Sequence, residues 1–167
     1  SYFHPPVLQC FVNQEEMLSE LDALFAEKKI HRLGTGEFTD SMIWEKWTGL
    51  SERLIPQFAG QSRAVLELKT KTVSGFDRLK GLPHNRKMIL SWSLNTEPVI
   101  QNEERGTASL SARLRTAAEY EDRGYPVAFH FDPMIIYEGC ETAYPRVAEQ
   151  IFEYVSPDNV VWISLGT

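Results

Sequence analysis

Cysteine is nearly missing from this chain. Its 167 residues hold two, Cys10 and Cys140, far apart and without a Cys or His nearby at ligand spacing, so the sequence contains no zinc or iron-sulfur motif. Each reads as a small core residue. Long apolar runs are missing too. None approaches the roughly 18 residues of a membrane span, and no charged, apolar and small-residue leader is present. The reading is a cytoplasmic chain with no membrane partner. Nor is there a surplus of positive charge. Lys and Arg number 17 against 23 Asp and Glu, a formal net charge of -6, which argues against non-specific nucleic-acid affinity over the whole surface. The run His84 to Lys87, with Arg78 and Lys80, offers a local basic strip, or else a solvated loop. Low-complexity tracts, sequence repeats and composition breaks are absent as well, which leaves a single domain over residues 1–167.

What is present supports a packed core, because 43% of the residues are apolar and 11% aromatic. Apolar runs of strand length recur at Val7 to Val12, Ile30 to Leu33, Ala64 to Leu68, Met88 to Leu94, Pro126 to Phe131 and Val160 to Leu165. Helical spacing fills the gaps between them: Gln14 to Lys28 behind Asn13 as N-cap, Ser41 to Phe58 behind Thr39 or Asp40, a shorter helix over Val73 to Leu79, Ala108 to Arg123 stopped by Gly124, and Glu141 to Val155 stopped before Pro157. Strand and helix alternate throughout. That order predicts an α/β domain with a mainly parallel sheet.

Side-chain parity adds a second prediction. Alternate residues of a strand point to opposite faces, and one parity is polar in several strands: Glu67, Lys69 and Lys71; Ser91, Ser93 and Asn95; His130 and Asp132. The other parity is apolar and suits packing under helices. Ordinary barrels fill their inside with bulky branched side chains. A polar inside implies instead a wide or incomplete barrel with a wet or ligand-filled lumen, or an open sheet with one solvated face. Ligands of parallel α/β architectures bind at the C-terminal ends of strands. Those ends gather Glu37, Lys71, Ser93, Asn95 and Asp132, a set suited to a zwitterionic, sugar-bearing ligand. Lys71 and Ser93 are expected to face the interior near Glu37 and Asp132; the alternative for Lys71 is a pair with Glu67. The two glycines after the second apolar run, in RLGTGEFTDS, mark a tight turn or a close ligand approach.

The segments SYFHPPVLQCFVN, RLGTGEFTDS, LELKTKT, HNRKMILSWSLN and EERGTASLSARLRTAAEYEDRGYPVAFHFDP together resemble the spore photoproduct lyase family of radical S-adenosylmethionine enzymes, over nearly the whole chain. The resemblance implies an incomplete six-stranded β/α barrel. It also implies a 4Fe-4S cluster held by a CxxxCxxC loop after the first strand, with S-adenosylmethionine on the fourth iron. Family members carry that loop just before the stretch at which this chain starts, so the first strand and cluster loop are expected to be missing, and this piece is expected to retain no cofactor. An unpaired sheet edge would then favour a dimer or be covered by Ser1 to Val12. Gly34, Thr35, Gly36 and Glu37 resemble the superfamily's Gly-Gly-Glu element, which meets the methionyl amino group. Thr39, Lys71 and Ser93 resemble polar residues around the cofactor, with Lys71 suited to the methionyl carboxylate, and Asp132 lies at the equivalent end of the fifth strand.

One departure stands out against the family pattern. The lyases place a hydrogen-donating cysteine in the segment that here reads GTGEFTDS, with Glu37 about where that thiol would fall. The other late thiol, Cys140, follows Tyr137-Glu138-Gly139 and reads as a packing residue. The resemblance therefore implies a radical S-adenosylmethionine enzyme abstracting hydrogen from an unidentified substrate. The alternatives are repair of a nucleic-acid lesion with a donor elsewhere, and a non-catalytic barrel that binds a nucleotide-like ligand.

Overall fold

Five strand-length runs become five parallel strands in the computed structural model, which describes residues 10–36 and 39–166. They are β1 (His31–Thr35), β2 (Ala64–Thr70), β3 (Met88–Ser93), β4 (Val127–Phe131) and β5 (Val160–Leu165), hydrogen-bonded in that order. Every neighbouring pair is parallel. Parallel neighbours in sequence need a crossover each time. Helix α1 (Gln14–Phe25) precedes β1; α2 (Glu45–Thr48) and α3 (Leu50–Ala59) connect β1 to β2, a loop with one 3₁₀ turn connects β2 to β3, α4 (Glu97–Glu103) and α5 (Leu110–Glu121) connect β3 to β4, and α6 (Cys140–Tyr154) connects β4 to β5.

The sheet is curled into a half-barrel, and two side-chain contacts measure the curl. Arg32 lies on one edge strand and Trp162 on the other, yet the guanidinium stands 3.8 Å from the indole centroid. In a flat sheet those strands would run roughly 19 Å apart, four spacings of about 4.8 Å. Glu67 on β2 likewise reaches over β3 to His130 on β4 at 2.5 Å. Ser91 and Ala128 leave the room for both on that face. The polar parity is thus the concave side. The apolar parity, with Leu66, Leu68, Leu90, Trp92, Val127 and Phe129, forms the buried core. Leu54, Ile55 and Phe58 of α3, Leu114 and Ala117 of α5, and Val147 and Ile151 of α6 belong to the same core.

Several local expectations are corrected. Cys10 to Val12 form no strand and are exposed; an apolar run without a partner ladder has nothing to pair with, while residues 7–9 lie outside the described residues. The helix expected over Ser41 to Phe58 breaks at Gly49, whose φ of 57° is left-handed and separates α2 from α3. Asp40 caps a turn rather than a helix, and Asn13 makes no capping bond, its amide donating to Glu16 instead. The helix over Val73 to Leu79 shrinks to a 3₁₀ turn, Phe76–Leu79, behind Gly75 at φ 87°. Helix α4 was not expected; Thr96 precedes it and Pro98 stands in its first turn, a helix-start signal. The basic strip is spent within the fold. Arg78 pairs with Glu52, Lys80 with Asp77 and Glu119, Arg86 bonds Gly124 and Asn159, and His84 stacks on Tyr125.

Candidate functional site

The chain leaves β1 through Gly36, at φ 89°, where a Cβ would stand 2.7 Å from the Lys69 carbonyl and 2.7 Å from Ser41 Oγ. Only glycine fits that turn. Ser41 then ties the loop to the strands, its Oγ lying 2.7 Å from Thr35 Oγ1 and accepting from Lys69 N at 3.1 Å. Asp40 is the stronger stitch. Its Oδ1 accepts from Met42 N, Ile43 N and Thr70 Oγ1, and its Oδ2 from Lys71 N at 2.8 Å. One carboxylate thus holds the end of β2 against the turn after β1. Replacing it in Asp40→Ala is expected to cost about 2–3 kcal/mol, since charged acceptors of this kind are worth more than neutral ones. Thermal unfolding measures this, and a loss below about 0.5 kcal/mol, the range of ordinary surface changes, would contradict the assigned role.

The same turn closes one side of a cavity of about 300 Å³ at the strand ends, and Gly36, Thr39, Lys71, Ser93 and Asp132 all line it. Four segments therefore deliver the expected residues to one place. Gly34 and Thr35 line an adjoining cavity of about 470 Å³ deeper on the concave face, which shares Lys69 and Asp132 with the first. Glu37, the residue on which the amino-group reading rests, lies outside the described residues.

Lys71 does not pair with Glu67. Its Nζ donates to Glu104 Oε1 at 2.8 Å, and Glu104 Oε2 accepts from Arg113 at 2.7 Å. Arg113 is fully buried, and it also donates to the carbonyls of Ala108 and Ser93 and to Thr107 Oγ1. Burial pushes the Glu104 carboxyl up, but the bonds from Lys71 and Arg113 outweigh it and hold the group below its ordinary value. An ammonium has three donors and one is spent on Glu104, so Lys71, still a third exposed, keeps donors for the cavity. Sequence reasoning singled out the segment from Glu104 to Arg113 as a motif without seeing that its two ends meet. The signal was there in a buried-length arginine on the apolar stripe of a helix, where only a carboxylate partner makes it tolerable.

The concave floor carries a second network. Arg32 donates to Glu67 Oε2 at 2.9 Å, Glu67 Oε1 accepts from His130 Nε2, His130 Nδ1 meets Ser164 Oγ at 2.6 Å, and Ser164 donates to Asp132 Oδ2 at 2.7 Å. Burial pushes the Glu67 carboxyl up, yet the bonds from His130 and Arg32 prevail and hold it at about 2. Cys140 is elsewhere. It lines an apolar cavity of about 540 Å³ between β5 and α6, with Phe131, Tyr144 and Ile163.

The chain and its fold have known counterparts. The protein-family model of spore photoproduct lyase matches residues 3–164. Among curated proteins, the spore photoproduct lyase of Bacillus subtilis (strain 168) is 30% identical over 148 residues, which is 87% of this chain and 43% of that protein. The spore photoproduct lyase of Clostridium acetobutylicum is 24% identical over 147 residues, 87% of this chain and 44% of the other. A solved mutant of spore photoproduct lyase with bound AdoMet and dinucleoside spore photoproduct shares the fold at a TM-score of 0.86, with 22% identity over 94% of this chain and 47% of that one. A spore photoproduct lyase complexed with dinucleoside spore photoproduct gives 0.83, with 23% identity over 91% and 45% of the two chains. The chain spans less than half the length of these relatives.

Proposed function

This chain belongs to the spore photoproduct lyase family, and from that premise we propose that it is the cofactor-orienting part of a longer radical S-adenosylmethionine enzyme, with the strand-end cavity as the S-adenosylmethionine site. The observation that carries the reading is the convergence of Gly36, Thr39, Lys71, Ser93 and Asp132 on one cavity. Gly36 gives the ligand a close approach to backbone, Lys71 offers an ammonium for a carboxylate, and Ser93 and Thr39 offer hydroxyls. Asp132 accepts from ribose or amino groups. Gly34 and Thr35 line the adjoining cavity, and the resemblance to the Gly-Gly-Glu element assigns Glu37 to the methionyl amino group.

S-adenosylmethionine, together with a 4Fe-4S cluster, supplies one-electron chemistry that leads to hydrogen abstraction from a substrate. Among the described residues no group of three or more His, Cys, Asp or Glu is placed to hold a metal ion, so a cluster would take its ligands from outside them. What this chain contributes is binding and orientation. Glu104, itself held by Arg113, keeps the Lys71 side chain aimed, and Asp40 ties the turn after β1 to the end of β2. For the substrate, a nucleic-acid lesion of the kind bound by the relatives is the leading class. Repair by thiol hydrogen return would need a donor other than Cys140, which lines the β5–α6 cavity and not the strand-end one.

Titration with S-adenosylmethionine tests the site. Lys71→Met is expected to weaken binding roughly tenfold, the size of one charged contact of about 1.4 kcal/mol. Equal affinity in Lys71→Met and in Ser93→Ala would remove the cavity as the cofactor site.

A further inference from the structure

Apart from Asp132, the floor network is not used by the cofactor reading, and its two cations have donors left over. Glu67 is nearly buried, with both oxygens spent: Oε1 on His130 and Oε2 on Arg32. Asp132 has Oδ2 spent on Ser164, and its Oδ1 stays available to the cofactor cavity that it also lines. The acceptors of Glu67 are thus consumed inside the framework. The cationic donors are not. A guanidinium carries five N–H groups, and Arg32 spends one nitrogen on Glu67 while its plane lies over Trp162 at 3.8 Å. Lys69, about three-quarters buried, makes one ion pair among the described residues, to Asp132 at 3.8 Å, beyond hydrogen-bond reach. Both cations line the same cavity of about 470 Å³.

We propose that this floor is a second ligand subsite, taking an anionic group, phosphate or carboxylate, between Arg32 and Lys69, with Glu67, His130, Ser164 and Asp132 as the scaffold that holds the two cations in place. Cationic donors left over beside a buried carboxylate whose two oxygens are both spent favour a ligand that accepts and carries negative charge. Because the floor adjoins the strand-end cavity through Lys69 and Asp132, a substrate anchored there by its anion would present its remainder toward the strand ends.

NMR of the His130 imidazole, assigned by its loss in His130→Gln, reads the site directly, because an anion drawing on Arg32 alters the Glu67 that His130 also bonds. Inorganic phosphate and acetate are titrated separately. Saturable displacement of the His130 signals by either anion is expected, phosphate alone marking a phosphoryl ligand and acetate alone a carboxylate. Lys69→Met, which leaves the Glu67–His130 bond intact, and Arg32→Ala should each weaken binding roughly tenfold. Lys71→Met should weaken S-adenosylmethionine binding more than it weakens displacement of the His130 signals, which distinguishes the two cavities although they share Lys69 and Asp132. No saturable displacement by either anion, or equal affinity in Lys69→Met and the wild type, would overturn the subsite.

Discussion

Arg113→Ala is expected to remove about 3–5 kcal/mol of folding stability, the cost of leaving one partner of a buried ion pair alone. The side chain is completely buried and every nitrogen is bonded: Nε to the Ala108 carbonyl at 2.9 Å, one terminal nitrogen to the Ser93 carbonyl at 2.7 Å, the other to Glu104 and Thr107, each at 2.7 Å. Alanine would leave Oε2 of a carboxylate whose side chain is 7% exposed without its partner, Lys71 remaining on Oε1 only, and would leave an unmet carbonyl at the end of β3. Lysine in its place keeps the charge but not the planar fork, so Arg113→Lys should recover less than half of the loss. Urea unfolding gives the number. A deficit below about 1 kcal/mol, within the common range for any point mutant, would contradict the clamp.

The second large effect is in acid. Glu67 titrates at about 2 in the folded chain against an ordinary 4.5, so its carboxylate stabilises the fold. A folded-state value below the unfolded one gives stability that is complete above about pH 4.5 and lost as pH falls toward about 2, amounting to about 3 kcal/mol. Stability curves of the wild type and Glu67→Gln should therefore converge across that window, with the variant less stable at neutral pH and flatter in acid. A Glu67→Gln curve as steep as the wild type's between about pH 4.5 and 2 would contradict the assignment. His130→Ala should move the acid transition upward, because the largest of the contacts that oppose the burial of the carboxylate is then gone, leaving Arg32 and Ser91.

How much of this was readable in the residues depends on range. The apolar runs reached all five strands, β1 through Ile30 to Leu33, because each is a short apolar run whose meaning does not depend on distant partners. Parity also separated Glu67, Lys69, Ser93, His130 and Asp132 from Leu66, Leu90 and Phe129, and the concave and convex faces follow that division. What parity does not encode is curvature. Arg32 and Trp162 meet only because the sheet curls, and no local signal places the first strand's arginine over the last strand's indole. Lys71 was legible as a cation at a strand end, but its carboxylate comes from Glu104, more than thirty positions away. Gly49 shows the opposite failure. A single left-handed residue in an otherwise helical pattern is invisible to a moment of apolar spacing, yet it divides one expected helix into two.

The most direct measurement is an anaerobic assay of the longer enzyme proposed above, reconstituted with iron and sulfide and given S-adenosylmethionine, a reductant and dinucleoside spore photoproduct. The account predicts 5′-deoxyadenosine, its formation greatly reduced in Lys71→Met, and thymine only slowly, because the GTGEFTDS segment offers no thiol. Absence of 5′-deoxyadenosine from a protein with a full cluster, or its undiminished formation in Lys71→Met, would contradict the placement of the cofactor at these strand ends.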